Sequence, residues 1–262
     1  MPDAAVTCAR ATAPGAAALA TGLAESPLLL KARGLSFEAD GLTLIDGIDL
    51  ELRGNGRCLV IGPNGAGKSL LLRLLHGLIR PSAGSLSWNG RPLDAATRRR
   101  QAMVFQRPVL LRRSVAANLR YALKVHGAAR AELGGEVERW LARAGLAALA
   151  DRPARLLSGG EQQRLAVVRA LCGAPEVLFL DEPTASLDPA SMLTIERLID
   201  EAQERGTKIV MVTHDLGQAR RLADEVLFLY RGRLEEQAAA DCFFGNPRSA
   251  KARAFLEGRI VL

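Results

Sequence analysis

Three short stretches combine residue types and spacing that can do chemistry. The first, GPNGAGKS, fits the pattern G-x-x-x-x-G-K-[ST] and comprises Gly62, Pro63, Asn64, Gly65, Ala66, Gly67, Lys68 and Ser69. Its glycines let the backbone curl so that N–H groups aim at phosphate oxygens, and a helix starting there adds a dipole favourable to anions. Lys68 is then placed to reach the β- and γ-phosphates of a bound nucleotide, and the Ser69 hydroxyl to ligate Mg²⁺.

The second stretch, VLFLDEP, runs from Val177 to Pro183. Four apolar residues make a buried strand whose carboxyl end presents Asp181 and Glu182, and open α/β sheets place their ligands at that end. Asp181 is assigned to the Mg²⁺ shell, through water. Glu182 is assigned as the general base that polarises an attacking water.

The third, LSGGEQQR, runs from Leu157 to Arg164. Ser158 and Glu161 have the spacing of a capping box, which satisfies free N–H groups at a helix start. A cap needs neither Gly159 nor Gly160, and each costs backbone entropy. Paired glycines are worth that cost where backbone N–H groups must come close to another molecule.

These stretches must be carried by strands and helices that bring them together. The apolar strand RCLVI precedes the glycine-rich loop, and the helical SLLLRLLHGL follows it, stopped by Pro81. Upstream, LLLKARGLSF and TLIDGIDLEL read as strands, GSLSWNG as a strand ending in an Asn-Gly turn, and AMVF as a short strand. From about Val109 to Leu157 the pattern is Ala/Leu/Arg helical periodicity, interrupted at Gly134–Gly135. Thereafter VLFLDEP, TIERLIDEAQERG, KIVMVTH, LGQARRLADE and VLFLY alternate strand and helix, which implies a parallel sheet with crossover helices. The expected class is α/β.

Bulk properties set outer limits. A chain of 262 residues holds one large domain or two small ones. No apolar run is long enough to span a bilayer. The net charge of +7 and a pI near 9.7 favour an acidic partner, such as nucleic acid or an anionic membrane face. Two Trp and two Tyr give poor support for a base-stacking nucleic-acid platform. Cys8, Cys58, Cys172 and Cys242 lie far apart without metal-ligand spacing and read as reduced thiols. His76 and His126 have no chemical context and receive no role. Residues 1–27, rich in Ala, Gly, Thr and Pro with Asp3 before any Arg, read as a flexible tail rather than an export signal.

At this point the chain resembles the ATP-binding subunits of ABC transporters, from about Leu28 to Tyr230. GPNGAGKS matches the family's Walker A loop, VLFLDE its Walker B strand and LSGGEQQR its signature. The resemblance implies a P-loop NTPase of ABC ATPase type: a mostly parallel sheet core, an antiparallel β subdomain and a helical subdomain at about 109–160. It implies an ATPase domain over 28–245 and a short C-terminal helical tail over 246–262. It adds Gln106 in VFQRP as the Q-loop, sensing the γ-phosphate or Mg²⁺, Asp188 in TASLD as the D-loop, and His214 in VTHD as the switch histidine that orients γ-phosphate and water. Two copies then face head to tail, and Ser158, Gly159, Gly160 and Glu161 of one meet the nucleotide held by Lys68 of the other.

The same resemblance implies a separate transmembrane permease, a periplasmic solute-binding protein, a place on the cytoplasmic face of the inner membrane, and no nucleic acid. VFQRPVLLRRSVAANLRYALKVHG and THDLGQARRLADEVLFL look most like importers of the tungstate type, with molybdate, phosphate, sulfate and amino-acid importers as neighbours. Non-transport ABC ATPases of nucleic-acid maintenance carry a far longer insertion between Walker A and signature. One departure stands out. The family's adenine-stacking aromatic falls at Ala39, and Phe37, two residues earlier, is either its substitute or a core residue.

Overall fold

The computed structural model describes residues 27–259; of the tail expected over residues 1–27, residues 1–26 with Cys8 lie outside the described residues, as do 260–262. Two sheets organise the chain. The first is antiparallel, in the order β2 (Leu42–Arg53), β1 (Leu28–Ala39), β4 (Ala83–Trp88), β5 (Arg91–Pro92). The second has the order β10 (Arg233–Ala239), β9 (Glu225–Tyr230), β3 (Arg57–Ile61), β8 (Lys208–Val212), β7 (Val177–Asp181), β6 (Gln101–Val104), and all but β10 run parallel. The fold is that of an α/β P-loop NTPase with an added antiparallel sheet.

Strands β7, β8 and β9 are buried at every position. They read as continuous Val/Leu/Ile/Phe runs because both faces are covered, one by helices and the other by α1 and the antiparallel sheet. Each such side chain contributes roughly 1.5–3 kcal/mol when fully buried. Asp181, Lys208 and Glu225 are the charged exceptions, and the last two are nearly inaccessible and 3.7 Å apart. Lys208 Nζ also donates to the Arg53 carbonyl at 3.0 Å, and Gln237 Nε2 bridges Glu225 and the Glu51 carbonyl, at 2.7 and 2.9 Å. This polar seam fastens the antiparallel sheet to the core sheet.

Helices fill the connections: α1 (Lys68–His76), α2 (Ala95–Arg99), α3 (Val115–Val125), α4 (Leu133–Arg143), α5 (Gly159–Leu171), α6 (Pro189–Glu204), α7 (Leu216–Leu222), α8 (Ala240–Gly245) and α9 (Ala250–Leu256). Two expectations change. Helix α1 stops before Pro81: Gly77, in a left-handed conformation, turns its N–H back to the Arg73 and Leu74 carbonyls. That is an ordinary glycine C-terminus. Gly134–Gly135 do not interrupt a helix but lie in the first turn of α4, on its exposed side. Burial of Leu133, Val137 and Leu141, one turn apart, compensates for their low propensity. Among the described residues, no helix is long and apolar enough to cross a membrane.

Candidate functional site

Register brings the motifs to one edge of the core sheet. Val212 of β8 pairs with Val60 of β3 on one side and Asp181 of β7 on the other, while Val104 of β6 pairs with Leu180. The residues just past those positions are Gly62, His214, Glu182 and Gln106. Parallel strands in this register therefore deliver all four to the same end of the sheet.

The loop between β3 and α1 is shaped by close approach. A Cβ on Gly62 would lie 2.0 Å from the Leu229 carbonyl oxygen, so only glycine fits. Lys68 Nζ donates to the Gly62 and Pro63 carbonyls at 2.8 and 2.9 Å, closing the loop over its own helix. Burial lowers the Lys68 pKa, against the opposing pull of Glu182 and Asp181. Helix α1 begins at Gly67 without a side-chain cap, leaving its first N–H groups for an anion.

Ser69 Oγ donates to Asp181 Oδ1 at 2.7 Å. Burial raises the Asp181 pKa, and the Ser69 hydrogen bond works the other way. A hydroxyl and a buried carboxylate are hard oxygen donors suited to Mg²⁺ shared with phosphates. The pair fits such an ion; Gln106, also expected near it, donates from Nε2 to Glu182 Oε2 at 3.1 Å. His214 Nδ1 stands 3.1 Å from that same Oε2. Glu182 has a φ of 47°, uncommon for a residue with a side chain, and such strain persists only where the surroundings over-determine it. The cluster can grip phosphates, hold a divalent cation and present a carboxylate to water.

The signature lies apart. Ser158 caps α5, accepting from the Glu161 N–H at 3.3 Å, while the Glu161 carboxylate accepts from the Ser158 N–H at 2.7 Å. Among the described residues, no hydrogen bond or ion pair joins Ser158–Glu161 to Gly62–Ser69. The two glycines differ. A Cβ on Gly159 would meet nothing within 4 Å, whereas one on Gly160 would come within 2.5 Å of Ser191 Oγ and 3.1 Å of Asp188 Oδ2. Gly160 is small because α6 packs there; Gly159 faces open space. Asp188 caps α6 through the Ser191 N–H at 2.9 Å. Signature and D-loop thus form one unit, and the phosphate loop, Asp181, Glu182, Gln106 and His214 another.

One connection escaped sequence reasoning. Gln163, buried on α5, donates to the Phe105 carbonyl at 3.3 Å and so links the signature helix to the residue before Gln106. Gln163 stands inside the quoted motif, but no local pattern indicates a partner 58 positions away. Phe37 is half-buried and packs against the antiparallel sheet's core. Cys58 and Cys172 are free thiols.

Comparison with known proteins agrees with this geometry. The family described as ABC transporter matches residues 45–185. A phosphate import ATP-binding protein of Natronomonas pharaonis is 38% identical over 248 residues, covering 88% of this chain and 87% of its own length. A tungstate uptake system ATP-binding protein of Peptoclostridium acidaminophilum is 40% identical over 205 residues, covering 78% and 94%. A solved ATP-binding subunit of an ABC transporter superposes with a TM-score of 0.78 at 27% identity, covering 87% of this chain and 98% of that one.

Proposed function

This chain belongs to the ATP-binding subunits of ABC transporters, ATPases that drive transport with a transmembrane permease, and we propose that it works as a head-to-tail homodimer powering an oxyanion importer. The observation that carries the dimer is the division of the site into two units. One holds the phosphate loop and the reacting groups; the other ends in an uncovered helix tip at Gly159. A single phosphate loop leaves the outer face of the γ-phosphate open, and a second helix N-terminus from a twin chain closes it and excludes water. ATP then lies in the interface and stabilises closure, and hydrolysis releases it.

Within each site Lys68 donates to β- and γ-phosphate oxygens, and Ser69 and Asp181 would hold Mg²⁺. That ion would supply positive charge to offset the charge of the phosphates. Gln106 and His214 both bond Glu182 through Oε2, so Oε1 is the oxygen that takes the proton from the attacking water. With Glu182 ionised, the Nδ1–H tautomer of His214 donates to it. The helical segment over 109–160 relays closure to the permease on the cytoplasmic face, and the rest of 28–245 forms the ATPase domain.

Trapping tests the dimer. Glu182→Gln should bind ATP and accumulate as a dimer in size-exclusion chromatography, with turnover down about 10²–10⁴-fold. A monomeric ATP complex, or unimpaired steady-state hydrolysis, overturns the reading.

Tungstate is the proposed cargo, delivered by a periplasmic binding protein. Support comes from the relatives named for tungstate and phosphate, 40% and 38% identical; the basic amino-acid and cystine systems are 34% identical, and the methionine systems 37% and 39%. The ATPase subunit does not touch cargo, so the test is cellular. With Lys68→Ala replacing the native chain, tungstate uptake should fall while uptake of molybdate, phosphate and basic amino acids persists. Loss of amino-acid uptake alone removes the oxyanion reading.

A further inference from the structure

Beneath Glu182 and His214 lies a buried polar cluster that the reaction as described leaves unused. Its centre is Gln218 of α7, 1% exposed. Gln218 Oε1 accepts from Thr213 Oγ1 at 2.8 Å. Gln218 Nε2 donates to Thr184 Oγ1 at 3.0 Å and to Glu196 Oε1 at 2.9 Å. Thr184, Thr213 and Glu196 are themselves buried. Thr213 Oγ1 also accepts the Asp215 N–H at 3.1 Å, which folds the backbone around His214. Arg221 holds Glu196 at 2.8 Å from the outer side.

The placement of the two threonines gives the cluster its meaning. Thr213 immediately precedes His214, and Thr184 follows Glu182 by two residues. Glu182 is held in a left-handed backbone conformation, and its N–H bonds the Val212 carbonyl at 3.1 Å. Both loops leave the ends of adjacent strands, and side-chain bonds through Gln218 fix them to each other and to α6.

We propose that Gln218 is a positioning residue for ATP hydrolysis: its carboxamide ties the loop bearing Glu182 to the loop bearing His214 and anchors both on Glu196. The proposal rests on the roles given above to Glu182 and His214. An amide suits this place because it must donate to one side and accept on the other. Glu196, when ionised, only accepts, so the group facing it must carry N–H. A carboxylate at 218 would set two like charges about 2.9 Å apart in a buried site. An apolar side chain would leave Thr213, Thr184 and Glu196 with unmade hydrogen bonds.

The test uses the full chain, with steady-state hydrolysis followed across ATP concentration and Tm measured for every variant. Gln218→Met keeps side-chain length and removes the hydrogen bonds; kcat should fall about 10–100-fold while KM for ATP stays within about twofold. Gln218→Glu should fall by a similar factor. The exchange Gln218→Glu with Glu196→Gln reverses donor and acceptor, and should recover kcat to within about threefold of the parent. Unchanged kcat in Gln218→Met, or an exchange that restores Tm without kcat, overturns the proposal. Should Gln218→Met not fold, the comparison of Gln218→Glu with the exchange decides alone. Glu182→Gln in the same assay separates two failures. Full turnover there removes the reading of the site, whereas loss there beside an indifferent Gln218→Met removes Gln218 only.

Discussion

His214 meets Glu182 through a single oxygen: Nδ1 stands 3.1 Å from Oε2, the atom that Gln106 Nε2 also reaches at 3.1 Å. The imidazole is 58% exposed and the carboxylate 16%, so the histidine approaches a largely covered acid from the solvent side. One Glu182 oxygen is thereby fixed by two loops while the other stays available to a water. Removing the histidine leaves Gln106 as the remaining side-chain restraint.

His214→Ala should therefore lower kcat by at least about tenfold without raising the Kd for ATP, since positioning a base affects the reacting state more than binding. Fluorescent-nucleotide titration beside a phosphate-release assay measures both. A parallel loss of binding would place His214 in nucleotide retention instead.

The paired glycines of the signature should respond in opposite ways. At Gly160 a methyl group would push against the Ser191 hydroxyl, which hydrogen-bonds the Asp188 carboxylate and helps hold its pKa below the usual range. Gly160→Ala is expected to cost about 1–3 kcal/mol of stability through overpacking. Gly159→Ala meets open space in the monomer and should leave stability within about 1 kcal/mol. ATP-dependent dimerisation is where Gly159→Ala should fail, because the added methyl lies on the face offered to the twin's nucleotide. Normal dimerisation of Gly159→Ala by light scattering would remove that face from the interface.

Local chemistry was legible in the sequence because each motif is contiguous. Gly62–Ser69 carries its own strand, turn and helix signals, and VLFLDEP announces both a buried strand and the acids at its end. Long-range pairing was not legible. Gln218 and Thr184 are 34 positions apart, Gln163 and Phe105 58 apart, and nothing in one segment specifies the other. Strand β10, RLEEQAA, was also hidden: as an edge strand it buries few positions, so its hydrophobic alternation is weak. Gly134–Gly135 misled for a related reason, since helix α4 is held by tertiary burial of three residues rather than by local propensity.

Base selectivity should be weak. An ungapped match to the family puts Ala39 where a stacking aromatic is expected, and Phe37 packs against the antiparallel sheet's core. Beside the phosphate loop the exposed apolar residues are aliphatic, with Leu44 41% exposed and its carbonyl close to Gly67. Base–aromatic stacking contributes roughly 1–3 kcal/mol, so its loss removes about 5–150-fold in affinity. ATP and GTP should bind within about tenfold of each other, and Phe37→Ala should lower Tm without changing that ratio. A strong ATP preference that survives Phe37→Ala would mean that another group reads the base.

His76 gives stability a pH dependence of defined sign. Its ring packs edge-on against Phe179, with centroids 5.8 Å apart, and its Nδ1 is buried without a hydrogen-bond partner. Burial, assisted by the nearby Arg98 charge, lowers its pKa from the ordinary 6.5 to about 4. Between those values the unfolded chain binds a proton that the folded chain refuses, so stability is full above the upper value and declines as pH falls through the window. The loss from pH 7 to pH 5 should be about 2 kcal/mol from this residue. His76→Phe keeps an aromatic against Phe179 and cannot titrate, so it should flatten the difference by that amount. Urea unfolding of both proteins at the two pH values measures it, and equal pH slopes would mean that the folded chain accepts the proton as readily as the unfolded one.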